Sequence, residues 1–191
     1  EKGDVFTAHH DGQANVPAHT LSALDELDGG AGKDTLKITS DNAATAYTMA
    51  AATIKNIEAI TIEGSAAVTA VVSGSNVTGL ETISVTKATD ATVTAAATTA
   101  VNVSGISAGV FVNNNVATDD NPATVTVTGG STQTVDVANK GIEITLTEAA
   151  GAINVTSSNN ETLTDGVADA DLDSLSDITT THGTDVTVTA T

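Results

Sequence analysis

Asn56-Ile57-Glu58-Ala59-Ile60-Thr61-Ile62 returns one repeat later as Gly79-Leu80-Glu81-Thr82-Ile83-Ser84-Val85, with the aliphatic and glutamate positions aligned. Within each copy, Ile60/Ile62 and Ile83/Val85 alternate with hydroxyl residues. That period of two belongs to a strand with one buried face. Working outward, the same alternation continues at Val101/Val103, Val110/Val112, Val125/Val127, Val135/Val137, Ile142/Ile144 and Ile153/Val155. Turn formers separate these pairs: Ser73-Gly74-Ser75-Asn76, Asn113-Asn114-Asn115, Gly129-Gly130 and Asn159-Asn160. Short strands at such spacing fit a sandwich or a solenoid. A near-copy one coil away selects the solenoid.

Composition points the same way. Among 191 residues only Phe6, Tyr47 and Phe111 are aromatic, and there is no Trp. A sandwich or barrel usually fills its centre with aromatics that bury about 150–250 Å² each. Val, Ile, Leu, Ala and Thr must fill this interior instead, which suits a thin core of stacked ladders. The sequence therefore predicts an all-β solenoid with two or three strands per coil. Helix is expected only over Thr20 to Leu27 and Tyr47 to Ile57.

The formal charge is −18, from 24 acidic residues against six lysines. Such a surface repels nucleic acid and anionic membranes, which are bound through basic patches. It also strains a compact state unless cations offset it. No stretch approaches the roughly 20 apolar residues of a membrane helix, so no membrane insertion is expected. Without cysteine, a secreted chain needs another staple, and bound metal is one. The start at Glu1-Lys2-Gly3-Asp4 leads us to expect a segment of a larger protein.

Gly29-Gly30-Ala31-Gly32-Lys33-Asp34-Thr35-Leu36-Lys37 matches the nonapeptide G-G-x-G-x-D-x-U-x of calcium-binding β-rolls. Glycines let the backbone turn through φ values closed to other residues. Ca²⁺ takes six to eight oxygens at about 2.3–2.6 Å, and Asp34 offers an anionic one. A second acidic run, Asp165 to Asp173, holds Asp169, Asp171 and Asp173 at alternate positions. On an extended backbone they share one side, making either a second calcium cluster or a solvated acidic turn. It is not an EF-hand, because Ser174 and Thr180 stand where that loop needs Gly and Glu. Asp119-Asp120-Asn121-Pro122 reads as a surface loop, with a weaker calcium cluster as the alternative.

His9-His10-Asp11 with His19 matches no zinc spacing and reads as a polar loop, as does His182 near Asp185. No G-x-S-x-G elbow occurs, and the aromatic platforms of a carbohydrate cleft are missing. An enzyme is not expected.

Taken together, Gly3 to Ala8, Leu24 to Leu36, Ile54 to Ile62 and Val77 to Glu81 resemble the RTX-type bacterial surface-layer proteins of the Caulobacter kind and related type I-secreted adhesins. The resemblance covers about the first 90 residues; beyond them it is one of composition. It implies a right-handed parallel β-solenoid (β-helix), calcium-dependent folding and self-assembly, and display outside the cell. Anchoring would run through lipopolysaccharide or another surface glycan, by regions outside this segment. Long RTX arrays sandwich calcium between consecutive nonapeptides, whereas this chain has one full copy. The resemblance thus places Gly30 and Gly32 as carbonyl donors and Asp34 as a carboxylate. The second half-site is sought in Asp4 and Asp28, with Asp25 next.

The expected organisation is one continuous elongated domain. Residues 1–40 form a calcium-binding, RTX-like opening, and 41–191 a Val/Ile/Thr-rich solenoid with acidic C-terminal loops. The expected function is that of a surface-layer subunit packing against identical copies in a lattice. The alternatives are a type I-secreted adhesin segment that spans distance or binds a partner, and an accessory β-roll of a secreted protease or lipase.

Overall fold

The computed structural model describes residues 2–11, 19–106, 123–137, 142–157, 178–181 and 183–190. Along the chain the strands fall into circuits. The first holds β1 (Val5–His10) and β2 (Glu26–Asp28), and the second β3 (Thr35–Ser40), β4 (Tyr47–Thr48) and β5 (Thr53–Lys55). The third holds β6 (Ala59–Gly64), β7 (Val68–Val72) and β8 (Val77–Thr78), and the fourth β9 (Thr82–Thr86) and β10 (Ala91–Ala95). Then follow β11 (Ala100–Ser104) with β12 (Ala123–Gly129), and β13 (Gln133–Val137) with β14 (Ile142–Thr147). Last come β15 (Ile153–Ser157), β16 (Ile178–Thr181) and β17 (Val186–Ala190).

Each circuit adds one strand to each sheet it visits. The first sheet runs β1-β3-β6-β9-β11-β13-β15-β17, the second β4-β7-β10-β12-β14-β16 and the third β2-β5-β8. Pairing is parallel in the first sheet, the second and the third. The protein is thus all-β, with parallel sheets and no helix among the described residues.

Register turns sequence alternation into ladders. Leu36, Ile60, Ile83, Val101 and Ile153 occupy one inward column of the first sheet, with Ile38, Ile62, Val85, Val103, Val135 and Val155 in the next. All are buried. From the second sheet, Val68, Ala91, Val125 and Ile144 face them, with Ala70, Val93, Val127 and Leu146 alongside. Gln133 breaks the first column yet is fully buried. Its Nε2 donates to the carbonyls of Gly129 (2.6 Å) and Thr147 (2.9 Å), where β12 and β14 end. An amide replaces an aliphatic there because two strand-end carbonyls need a donor.

The repeated segment forms a corner. Asn56 and Gly79 both adopt positive φ, 50° and 86°. Ile57 and Leu80 behind them turn into the core. Asn and Gly are the residues that tolerate this conformation.

Both expected helices are absent, and alternation explains why. Tyr47 and Met49 are buried while Thr48 between them is exposed. The N–H groups of Tyr47 and Met49 donate to the carbonyls of Ala67 and Thr69, across to the next circuit instead of within a helix. Ala52 and Ile54 are fully buried while Ala51 is exposed. Over Thr20 to Leu27 the chain makes a turn closed by Asp25, then enters β2. The Val110/Val112 pair lies outside the described residues.

Candidate metal centre

The nonapeptide turn leads directly into β3 and carries the backbone geometry its glycines suggest. Gly30 has φ +76° and Gly32 φ +138°. Gly29 is needed for a different reason: a Cβ there would fall 2.1 Å from the Asn56 carbonyl oxygen and 2.7 Å from Asp34 Cβ. The Asp34 side chain therefore lies packed against the turn.

Asp34 is 1% exposed. Its Oδ1 accepts the Asp4 backbone N–H. Its Oδ2 is buried with no hydrogen-bond partner. Such an atom costs about 1–3 kcal/mol, more when charged. The Asp34 N–H donates to Glu58 Oε2 at 2.7 Å, bringing a second carboxylate to the same residue.

The Asp34 position recurs as an acid through the first four circuits. The Asp4 carbonyl accepts from Thr35 N–H, that of Asp34 from Glu58 and Ala59, that of Glu58 from Glu81 and Thr82, and that of Glu81 from Ala100. Asp4, Asp34, Glu58 and Glu81 thus form an acidic column along one edge of the first sheet. Lys33 Nζ meets Glu81 Oε2 at 2.7 Å, spanning two circuits, and this hydrogen bond raises the lysine pKa. The pair is exposed and contributes little to stability. The involvement of Glu58 and Glu81 was not anticipated, although their alignment in the repeat was the signal.

The carboxylates of Asp28 and Asp25 are engaged with other partners. Asp28 Oδ1 accepts from Asn56 Nδ2 (2.7 Å) and Gly30 N–H (3.0 Å). These bonds, Asn56's foremost, hold its pKa below the ordinary aspartate value. Asp25 Oδ2 accepts the Ser22 N–H at 2.7 Å. Asp4 brings its backbone N–H to Asp34. Asp169, Asp171 and Asp173 lie outside the described residues, as do Asp119, Asp120 and His182. Among the described residues no three His, Cys, Asp or Glu side chains are grouped to hold a metal ion. Carboxylates alone therefore do not make a calcium cage here, and backbone carbonyls must provide most of any oxygen set. The buried Asp34 Oδ2 fits such a set as its anionic member.

Two of the histidines are not in the polar loop that was expected. His9 and His10 end β1, and His10 is buried, its Nδ1 3.0 Å from Ser40 Oγ. His10 stacks on His19 at 4.5 Å and meets Tyr47 edge-on at 5.1 Å. Burial foremost, then His19, lowers its pKa. These rings border a cavity of about 380 Å³ that Leu21 and Ile38 also line.

Burial pushes the Tyr47 pKa up to about 12. A group whose folded pKa is raised contributes stability that is complete below its unfolded value and lost as pH rises through the folded one. Tyr47 is the single tyrosine, so phenolate absorbance reads it alone. The expected result is no ionisation near pH 10 in the folded protein, then a transition at about pH 12 accompanied by loss of structure. A midpoint near 10 with the fold intact would show that the ring is solvated.

No protein-family model, no curated protein and no solved structure matches the chain. No helix among the described residues is long and apolar enough to cross a membrane.

Proposed function

We propose that this chain is a calcium-dependent structural protein of a bacterial surface layer. It winds as a right-handed parallel β-solenoid and self-assembles into an extracellular lattice. The observation that carries this reading is the Asp34 carboxylate, buried beneath a glycine turn with Oδ2 unpartnered. A buried charge is tolerated when paired or bound to metal. Asp34 Oδ2, with carbonyls of the Gly30–Gly32 turn, would hold Ca²⁺. Bound there, the ion supplies positive charge beside a column of four acids.

Sites with few charged ligands bind calcium weakly, at about 10⁻⁴–10⁻³ M in extracellular modules. That range fits the outside of a cell, where calcium is abundant. The ordered strand sequence of the three sheets supports the solenoid, since one strand per sheet per circuit is its defining winding. Crossovers between parallel strands are right-handed in about 98% of cases. Identical subunits meeting through different faces propagate into open arrays, which is what a lattice requires.

Calorimetry with calcium and with chelator tests the metal. With calcium at about 100 times its Kd the parent gains about 2.7 kcal/mol. Asp34→Asn, which can still accept the Asp4 N–H, loses that gain. Equal melting curves for the parent with calcium and with chelator would overturn the calcium reading. Electron microscopy of the calcium-loaded chain tests assembly: sheets support the lattice, and single rods turn the reading to the adhesin.

A further inference from the structure

The strongly acidic chain keeps charge off two outward columns of its second sheet. In register across β4, β7, β10, β12, β14 and β16 stand Thr48, Thr69, Thr92, Thr126, Thr145 and Thr179. Two residues further along each strand stand Val71, Thr94, Thr128, Thr147 and Thr181. None of these positions is charged or aromatic, although the chain carries 24 acidic residues. The first sheet differs: its outward positions include Lys37, Glu63 and Asp136. On the second sheet Glu143, opposite Thr124, falls at the strand start, outside both columns.

Each threonine presents a methyl and a hydroxyl on a stem with restricted χ1, so an array of them is ordered before anything binds. Neighbouring strands stand about 4.7–4.9 Å apart, and alternate residues on one strand are about 6.6 Å apart. The two spacings make a rectangular grid. In the second column Thr147 Oγ1 donates to Thr128 Oγ1 at 3.3 Å, aligning hydroxyls along the column. A grid of these dimensions lies close to the oxygen repeats on a prism plane of hexagonal ice. Methyl groups between the hydroxyls hold water in cages, whereas a charged side chain would order its own shell and break the match. A polysaccharide surface fits less well, because no aromatic ring offers a platform for sugar.

We infer that the outward face of the second sheet binds ice, through the threonine columns centred on Thr92, Thr126 and Thr145. The inference rests on strand register and is independent of the calcium site.

The test is partition of the full chain, with calcium present, into slowly growing ice, together with crystal shaping under a microscope. The parent is expected to enter the ice and shape its crystals. Thr126→Lys, at the middle of the first column, should be excluded like an inert protein. Thr134→Lys, outward on the first sheet, should partition like the parent, and all three should melt alike. Exclusion of the parent overturns the inference, as does equal partition of the two variants. If the parent is excluded and Thr126→Lys splits a dimer in sedimentation, the face joins two copies of the chain instead, and the inference also falls.

Discussion

Ile60→Ala lowers the melting midpoint by about 6–12 °C. Ile60 is fully buried, stacked between Leu36 and Ile83 by register. Truncating such a residue costs about 2–5 kcal/mol, the lost transfer energy plus a cavity. A thin core has few second-layer side chains that can collapse into the hole, which places the loss near 3 kcal/mol. For a chain of this size each kcal/mol shifts the midpoint by about 2–4 °C. Thr61→Ala next to it points outward and should stay within about 0.5 kcal/mol. Thermal unfolding of the three proteins side by side decides the matter. Similar losses at the two positions would mean that the ladder is not the core.

Gly29→Ala should cost about 2–4 kcal/mol, and more than Gly30→Ala. The order reverses what backbone angle alone suggests. Gly30 has the positive φ, but open space surrounds its missing Cβ, so alanine there meets only the left-handed strain of about 1–2 kcal/mol. At Gly29 a methyl would meet the Asn56 carbonyl oxygen at 2.1 Å and Asp34 Cβ at 2.7 Å. Neither neighbour yields easily. Asn56 is already held at φ 50°, and the Gly29 N–H is bonded to the Lys55 carbonyl at 3.0 Å. Relief by backbone shift would break that bond and displace the Asp34 carboxylate. Urea midpoints of the two variants rank them, and a milder effect at Gly29 would disprove the close packing.

The strands were legible because alternation is local. Ile60/Ile62, Ile83/Val85, Val125/Val127 and Ile153/Val155 each lie in a strand with those residues inward. The repeat aligned Asn56 with Gly79, but the corner they form, with positive φ at both, had to come from the structure. The helices were misread because alanine-rich stretches such as Ala50-Ala51-Ala52 have high helix propensity, while the pairing that overrides it comes from the next circuit. The burial of Gln133 depends on strand-end carbonyls that only the fold brings to it. The acidic column and the threonine grid depend on register between strands separated by connections of unequal length, so neither could be counted off along the chain. Of the proposed calcium ligands, Asp34 was singled out by the motif, while its meeting with Glu58 had to wait for register.

The order of strands in each sheet has a temporal consequence. Every strand from β5 onward lies against one that precedes it in the chain. From β5 onward, a polypeptide delivered from its N-terminus through a ribosome or a narrow pore therefore finds a partner already in place. Each new circuit finds its template already laid down, and loop closure is confined to one circuit at a time, which keeps its entropic cost small. Delivered from the other end, the chain would lay down the same sheets in reverse. Growth in either direction adds each new strand at the open edge of its sheet.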